Sequence, residues 1–580
     1  MRRTTGSYTF RIAAVAAAAI GAAGGVVAMS GAAGAAVTVP CSVSSLISAI
    51  KAANGAGSGS LSLASGCTYS LTKADNTTDG PNGLPAITGS VSIAGDGATI
   101  TRSGSAAFRL FEVQPQGSLS LSGLTLSDGL ADNGAQGGGA VFALGALSVT
   151  STTFSGNSAP SATGTSGGAI NSSGSLSVSF STFTGNSGQE GGGIFNQSTG
   201  AAATITDSTF SGNTATTYGG GAIVGVQGTT NVARDTFAGN HATGTAGGGA
   251  IDNDATVKVT DSTFNGNTAG TNGGGAIQNF GTATITWSTI SGNGAPFGAD
   301  LHNDPAPGNS MTVAETIVAN GGGGGSNCSG SAAVIDGGYN IDSGTSCGFS
   351  AAHGSKSDTD PDLGPLADNG GPTQTMALAA DSPAVNAVPV TVPGCSGGTD
   401  QRGVSRPQGP ACDIGAYELV MHAPPPTIGP GLVSSFADYS RSCLDNSDFR
   451  WTPGNRLQLW ACGAAGGADQ RLELVPVAGR SGVYELRFAT GASGGPFCVT
   501  QANISGAGPL VLGVCNAGTP GARRQMLTPI PGAGNCRCGV YYRFTGTGLY
   551  MDDWAYNTRN GATVGTYRFD GGRNQGWSQP

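Results

Sequence analysis

Along residues 140–293 apolar and polar positions alternate in runs of four or five, each closed by a turn rich in glycine or asparagine. In "TVKVT", 256–260, Val257 and Val259 point one way while Thr256, Lys258 and Thr260 point the other, the period-two signature of a strand with one buried face. The run sits inside "GGAIDNDATVKVTDSTFNGN", one of six related segments whose G-N asparagines are Asn157, Asn186, Asn213, Asn240, Asn267 and Asn293, spaced 29, 27, 27, 27 and 26 residues apart. A unit this short cannot bury its own apolar side, so it must stack on its neighbours as a parallel β-helix rising about 4.8 Å per rung. Two internal columns follow: Phe154, Phe183, Phe210, Phe237, Phe264 and Ile290, and Val149, Val178, Ile205, Val232, Val259 and Ile285. The repeated asparagine suits a tight turn, and its amide can bond the next copy along the stack.

Three positions before each aromatic lie Ser151, Phe180, Asp207, Arg234, Asp261 and Trp287. Asp207, Arg234 and Asp261 then fall on adjacent rungs, with Asp235 beside them. Carboxylate, guanidinium and carboxylate at such steps are candidates for acid/base or calcium chemistry. They are equally a ladder of surface ion pairs of small energetic value, the reading adopted here, with Asp207 and Asp261 exposed and within about 12 Å of each other. Asp252 and Asp254 read as solvated turn residues. His241, His302, His353 and His422 share no evident cluster, and no metal or cofactor is expected. The N-T-D, G-H-G, R-I-K and R-x-P-x-x-R signatures of pectin-cleaving β-helices do not occur.

Over roughly 90–320 the GGAI and FxGN motifs resemble those of the right-handed parallel β-helices of secreted bacterial surface proteins, polymorphic outer-membrane proteins among them. The stack needs closed ends, since open sheet edges invite aggregation. In 41–67 a serine-rich start precedes Leu46, Ile47, Ile50 and Ala53 on one helical face, a helix that a Cys41–Cys67 bridge would staple over the first rung. In 321–420, "DPDLGPLADNGGPTQTMALAADSPAVNA" and "TDQRGVSRPQGPACDIGAYE" resemble the choice-of-anchor domain that finishes secreted β-helix proteins, which implies placement and not chemistry. The expected β-helix domain is thus 37–420, and the proline-rich stretch 421–431 is a semi-rigid linker.

Beyond it the vocabulary changes. "RSCLDNS", "PFCVTQ" and "LYMDDW" open three copies of about 50 residues, and "ADQRLEL", "RRQMLTP" and "RNQGWSQ" close them. Three such units suggest a β-trefoil, and 432–580 resembles the ricin-type lectins and related xylan-binding modules. That resemblance implies a sugar pocket in the first copy at Asp445, Gln458, Trp460, Asp469 and Gln470, with Leu472 in place of the usual closing tryptophan. In the third copy it implies Asp552, Tyr567, Asn574 and Gln575, with Trp577 in the core, Gly565 in place of the strand glutamine, and Tyr550 and Phe569 in place of the cysteines. The second copy has Thr500 for the aspartate and Gly513 for the aromatic, and is expected to be blind. An aromatic face for sugar C–H groups and carboxylates for paired hydroxyls suit such binding.

Composition narrows the context. A chain of 580 residues exceeds one hydrophobic core, and 102 glycines with 10% charged residues favour an all-β protein. Arg2, Arg3 and Arg11 before the apolar run Ile12–Ile20, with small residues to Ala36, read as an export signal over 1–36. Its removal takes the formal charge from −9 to −12, which disfavours nucleic-acid partners. No second hydrophobic span appears, so no membrane crossing is expected. Twelve cysteines in an exported chain suggest local disulfides: Cys41–Cys67, Cys328–Cys347, Cys395–Cys412, Cys443–Cys462 and Cys498–Cys515, leaving Cys536 and Cys538. The expectation is a secreted, all-β protein, a parallel β-helix carrying a lectin module whose partner is a polysaccharide or other glycan. The alternatives are a polysaccharide lyase or glycoside hydrolase with a catalytic β-helix, and a surface adhesin.

Overall fold

The computed structural model describes residues 36–420, except 133–135, 161–165, 201, 246, 271–272, 297, 299 and 322–325, and, within 431–580, mainly the strands. Residues 37–342 form a parallel β-solenoid. One rung runs through strands Ile251–Asn253, Thr256–Thr260, Thr263–Asn265 and Thr268–Ala269. Each pairs in parallel with its equivalent one repeat later: Ile251 with Ile277, Val259 with Ile285, Phe264 with Ile290. Repetition builds a 21-stranded, a nine-stranded and a five-stranded sheet around one elongated core.

The two expected columns fill that core. Phe154 through Phe264 are fully buried, and successive rings stack 4.6–5.0 Å apart and 5–8° from parallel, so the rise of the backbone also sets the ring spacing. The Asn157–Asn293 column is buried too. From Asn186 to Asn267 each amide nitrogen donates to the next asparagine's Oδ1 and to a phenylalanine carbonyl one rung back, as Asn240 does to Asn267 and Phe210, while Asn157 donates to Asn186 and the Leu126 carbonyl. The ladder ends where Asn293 donates to Asp300 at 2.8 Å; burial pushes the Asp300 carboxyl well above its ordinary range. Glycines allow rungs to touch backbone to backbone: a Cβ on Gly249 would lie 1.9 Å from the Gly275 carbonyl oxygen.

At the N-terminal end a helix, α1 (Val43–Gly55), starts at Ser42, whose hydroxyl accepts from the Ser45 amide. It buries Leu46, Ile50 and Ala53, while Ile47 is only half-buried. Four disulfides are present among the described residues: Cys41–Cys67, Cys328–Cys347, Cys395–Cys412 and Cys498–Cys515. Cys462, Cys536 and Cys538 lie outside the described residues.

After the last rungs the chain turns back. The hairpin Leu363–Ala367/Thr375–Leu378 and the loops to 418 lie along the outside of the solenoid, sharing a small core of Trp287, Ile317, Val388, Ile414 and the Cys395–Cys412 bridge. Residues 431–578 form an antiparallel sheet of 13 strands with its own core, including Leu444, Leu486, Phe497, Leu512, Phe544 and Val564.

Candidate functional site

The charged column sits at a sharp corner. Ser151, Phe180, Asp207, Arg234, Asp261, Trp287 and Glu315 all adopt left-handed backbone, φ 45–61°, a conformation costing about 1–2 kcal/mol for a residue with a Cβ. One such residue per rung turns the chain between two strands. The residue after it supports the corner: Ser181, Ser208, Ser262, Ser288 and Thr316 each donate to a carbonyl two residues back and accept the preceding rung's amide. At Asp235 a carboxylate replaces the hydroxyl, accepting from Ser208 N at 2.7 Å and Ala233 N at 3.0 Å. Burial pushes its pKa far up.

The corner is not the exposed ion-pair ladder that the repeat suggests. Asp207 is 7% exposed and grips Arg234 with both oxygens, at 2.7 Å each. Asp261 instead meets Arg406 of the returning segment at 3.3 Å. The buried Arg406 also donates to Glu418 and to the carbonyls of Asp413 and Gly415, and stacks on Trp287 at 4.5 Å. Five positions N-terminal, Gln401 spans two rungs: its amide nitrogen lies 3.0 Å from Thr236 Oγ1 and 3.2 Å from the Asp235 carbonyl, and its oxygen accepts from Thr263 at 2.6 Å. The "DQRGVSRP" and "DIGAYE" motifs are thus a clasp. Burial pushes Glu315 up to about 7, Asp413 to about 7 with Glu418 adding to the effect, and Asp261 to about 6, with Arg406 opposing in all three. Asp252 is buried rather than solvated, whereas Asp254 is half-buried.

In the C-terminal module three hairpins share one register. Cys443 pairs with Trp460 and Asp445 with Gln458; Cys498 with Gly513 and Thr500 with Val511; Tyr550 with Tyr567 and Asp552 with Gly565. The hairpins of the three sequence copies therefore pair corresponding positions. Gln525, the closing glutamine of the second copy, donates to Thr500 Oγ1 at 3.0 Å and to the Val514 carbonyl at 2.7 Å. Gln458 is half-buried. Asp469, Gln470, Asn574 and Gln575 lie outside the described residues, as does Phe569.

Sequence reasoning missed one cluster. His302 contacts Ser329 Oγ through Nδ1 at 2.6 Å and Asp304 Oδ2 through Nε2 at 2.9 Å. The signal was present: His302 and Asp304 stand at i, i+2, and Ser329 follows by 27 residues, one repeat.

A model of the Chlamydia polymorphic membrane protein repeat matches residues 151–173 and 207–225, within the solenoid. No curated protein matches the chain. Among solved structures, a designed three-fold symmetric protein, ThreeFoil, is 18% identical over 26% of this chain and 96% of its own, with a TM-score of 0.21. The Rhizoctonia solani agglutinin is 17% identical over 26% and 95%, TM-score 0.21. An exo-β-1,3-galactanase from Clostridium thermocellum is 18% identical over 29% and 32%, TM-score 0.22. What the fold defines is an all-β parallel β-solenoid with a separate antiparallel module. No helix among the described residues is long and apolar enough to cross a membrane.

Proposed function

We propose that this is a secreted carbohydrate-binding protein in which the solenoid, finished by a choice-of-anchor-type clasp, carries a ricin-type β-trefoil. The observation that carries the reading is the Gln525–Thr500 hydrogen bond together with the shared hairpin register. In the second copy the closing glutamine meets the residue at the aspartate position. By the same register Asp445 would face Gln470 in the first copy, and Asp552 would face Gln575 in the third. Each pair offers a carboxylate and an amide to adjacent hydroxyls, and Trp460 or Tyr567 offers a stacking face. The second copy, whose Thr500 already holds its glutamine, is blind.

Shallow single sites bind weakly, and two on one module gain through avidity on a polymer. Glycan arrays probed with the intact protein identify the ligand, and isothermal titration then compares polymer with monosaccharide. Asp445→Ala and Asp552→Ala should each remove one site and the double variant should stop binding, whereas Thr500→Ala should change nothing. A double variant that binds as the wild type does would refute the assignment.

A further inference from the structure

The His302 cluster lies on the nine-stranded sheet, where Leu301–Asn303 is flanked by Ile277–Asn279 and Cys328–Ser329. Cross-strand register sets Ser329 beside His302 on one side and Gln278 on the other. Asp304 follows just beyond the strand's end, accepting the Ser331 amide at 2.5 Å through Oδ1 and His302 at 2.9 Å through Oδ2. With Nε2–H given to the carboxylate, Nδ1 carries the lone pair that faces the Ser329 hydroxyl at 2.6 Å. Nucleophile, base and orienting carboxylate are thus joined by two hydrogen bonds, with the two ring nitrogens exchanged relative to the usual serine-hydrolase order.

Three further observations separate this cluster from an ordinary cross-strand contact. Although burial alone would raise it, the Asp304 carboxyl is held below its usual range by the Ser331 amide and hydroxyl and by His302, so it remains an anion that can orient the imidazole. Gln278 is fully buried, and neither its amide nitrogen nor its oxygen has a partner among the described residues. Buried polar groups are almost always paired, so an unused amide donor beside His302 is consistent with a group the site receives. Gly298 leaves the hydroxyl its space, since a Cβ there would stand 2.2 Å from Ser329 Oγ. The cluster is nonetheless reachable: Ser329 is half-buried and the Asp304 side chain is 34% exposed.

We infer that Ser329, His302 and Asp304 form an acyl-transfer site that hydrolyses carboxylic esters, an activity distinct from sugar binding. As Ser329 Oγ attacks the ester carbonyl carbon, its proton passes to His302 Nδ1. The tetrahedral adduct collapses, the ester C–O bond breaks, and the leaving alkoxide takes that proton and departs as the alcohol. Water, deprotonated by the same nitrogen, then cleaves the acyl-serine to free carboxylic acid and serine. Ser329 and His302 are the catalytic residues; Asp304 is a positioning residue.

The test uses the full chain, a fluorophosphonate probe and p-nitrophenyl acetate. Peptide mass spectrometry of the labelled wild type should place the phosphonyl group on Ser329. Ser329→Ala and His302→Gln should abolish labelling and lower ester hydrolysis at least 100-fold. Asp304→Asn should slow both at least 10-fold at an unchanged melting temperature, and Asp304→Glu should restore part of the rate, which a purely structural carboxylate would not do. Absence of label from Ser329 in the wild type, or hydrolysis undiminished in Ser329→Ala, would overturn the inference. Neither outcome depends on sugar binding, so the two readings fail separately.

Discussion

Replacing Asn240 by alanine strikes the middle of the asparagine ladder. Its side chain makes four hydrogen bonds, all buried. It accepts from Asn213 N at 3.1 Å and from Asn213 Nδ2 at 2.9 Å, and donates to the Phe210 carbonyl at 2.9 Å and to Asn267 Oδ1 at 2.8 Å. Asn267 Oδ1 keeps a partner in the Asn240 amide and Asn213 Nδ2 keeps the Phe183 carbonyl, so the main loss is the acceptor of the Asn213 backbone N–H and of one of the two Asn213 Nδ2 hydrogens. At about 1–3 kcal/mol for each buried group left unpaired, the expected local cost is about 4 kcal/mol. A solenoid need not unfold as one unit, so the assay is native-state hydrogen exchange at the Asn213 amide and its neighbours. A loss of that size lowers protection by roughly 10²–10³-fold, concentrated on the rungs carrying Asn213 and Asn267 and fading along the stack. A change below threefold at Asn213, or one spread evenly over all rungs, would refute the claim that the ladder pins adjacent rungs together.

Gln401→Ala should free the returning segment while leaving the stack intact, seen as new protease cleavage within 360–420 and unchanged exchange in the phenylalanine column. Arg234→Ala should cost less than Arg406→Ala, because the Arg234 side chain is 34% exposed and water can reach its side of the pair, whereas Arg406→Ala should cost about 3–5 kcal/mol by leaving Glu418 buried without its cation; thermal melts of the two variants distinguish these. Burial holds Asp413 and Glu315 near 7 and Asp261 near 6, above the value near 4 expected in an unfolded chain. The folded clasp therefore retains protons that the unfolded chain has lost between about pH 4 and 7, so this stabilisation is complete at low pH and disappears as pH rises through 6–7. The clasp should melt at a higher temperature at pH 5 than at pH 8.

The solenoid was legible because its information is periodic. A 26–29-residue repeat and period-two strands place Phe210 over Phe237 and Val232 over Val259 without reference to distant residues, and the Asn240–Asn267 contact follows from the same register. The recurring hairpins at Asp445, Thr500 and Asp552 were legible for the same reason. What the repeat could not disclose was anything contributed from outside it. Asp261 reads as a surface residue until Arg406, 145 positions later, folds onto it, and Asp207 departs from the exposed ladder by closing on Arg234. The left-handed corner carries no glycine signal, since its energy is recovered through the hydroxyl ladder beside it. His302 shows the division most sharply. Sequence order put Asp304 two residues away and Ser329 one repeat away, but only the stacked backbone brings both within hydrogen-bond reach, because proximity across rungs is set by tertiary register rather than by separation along the chain.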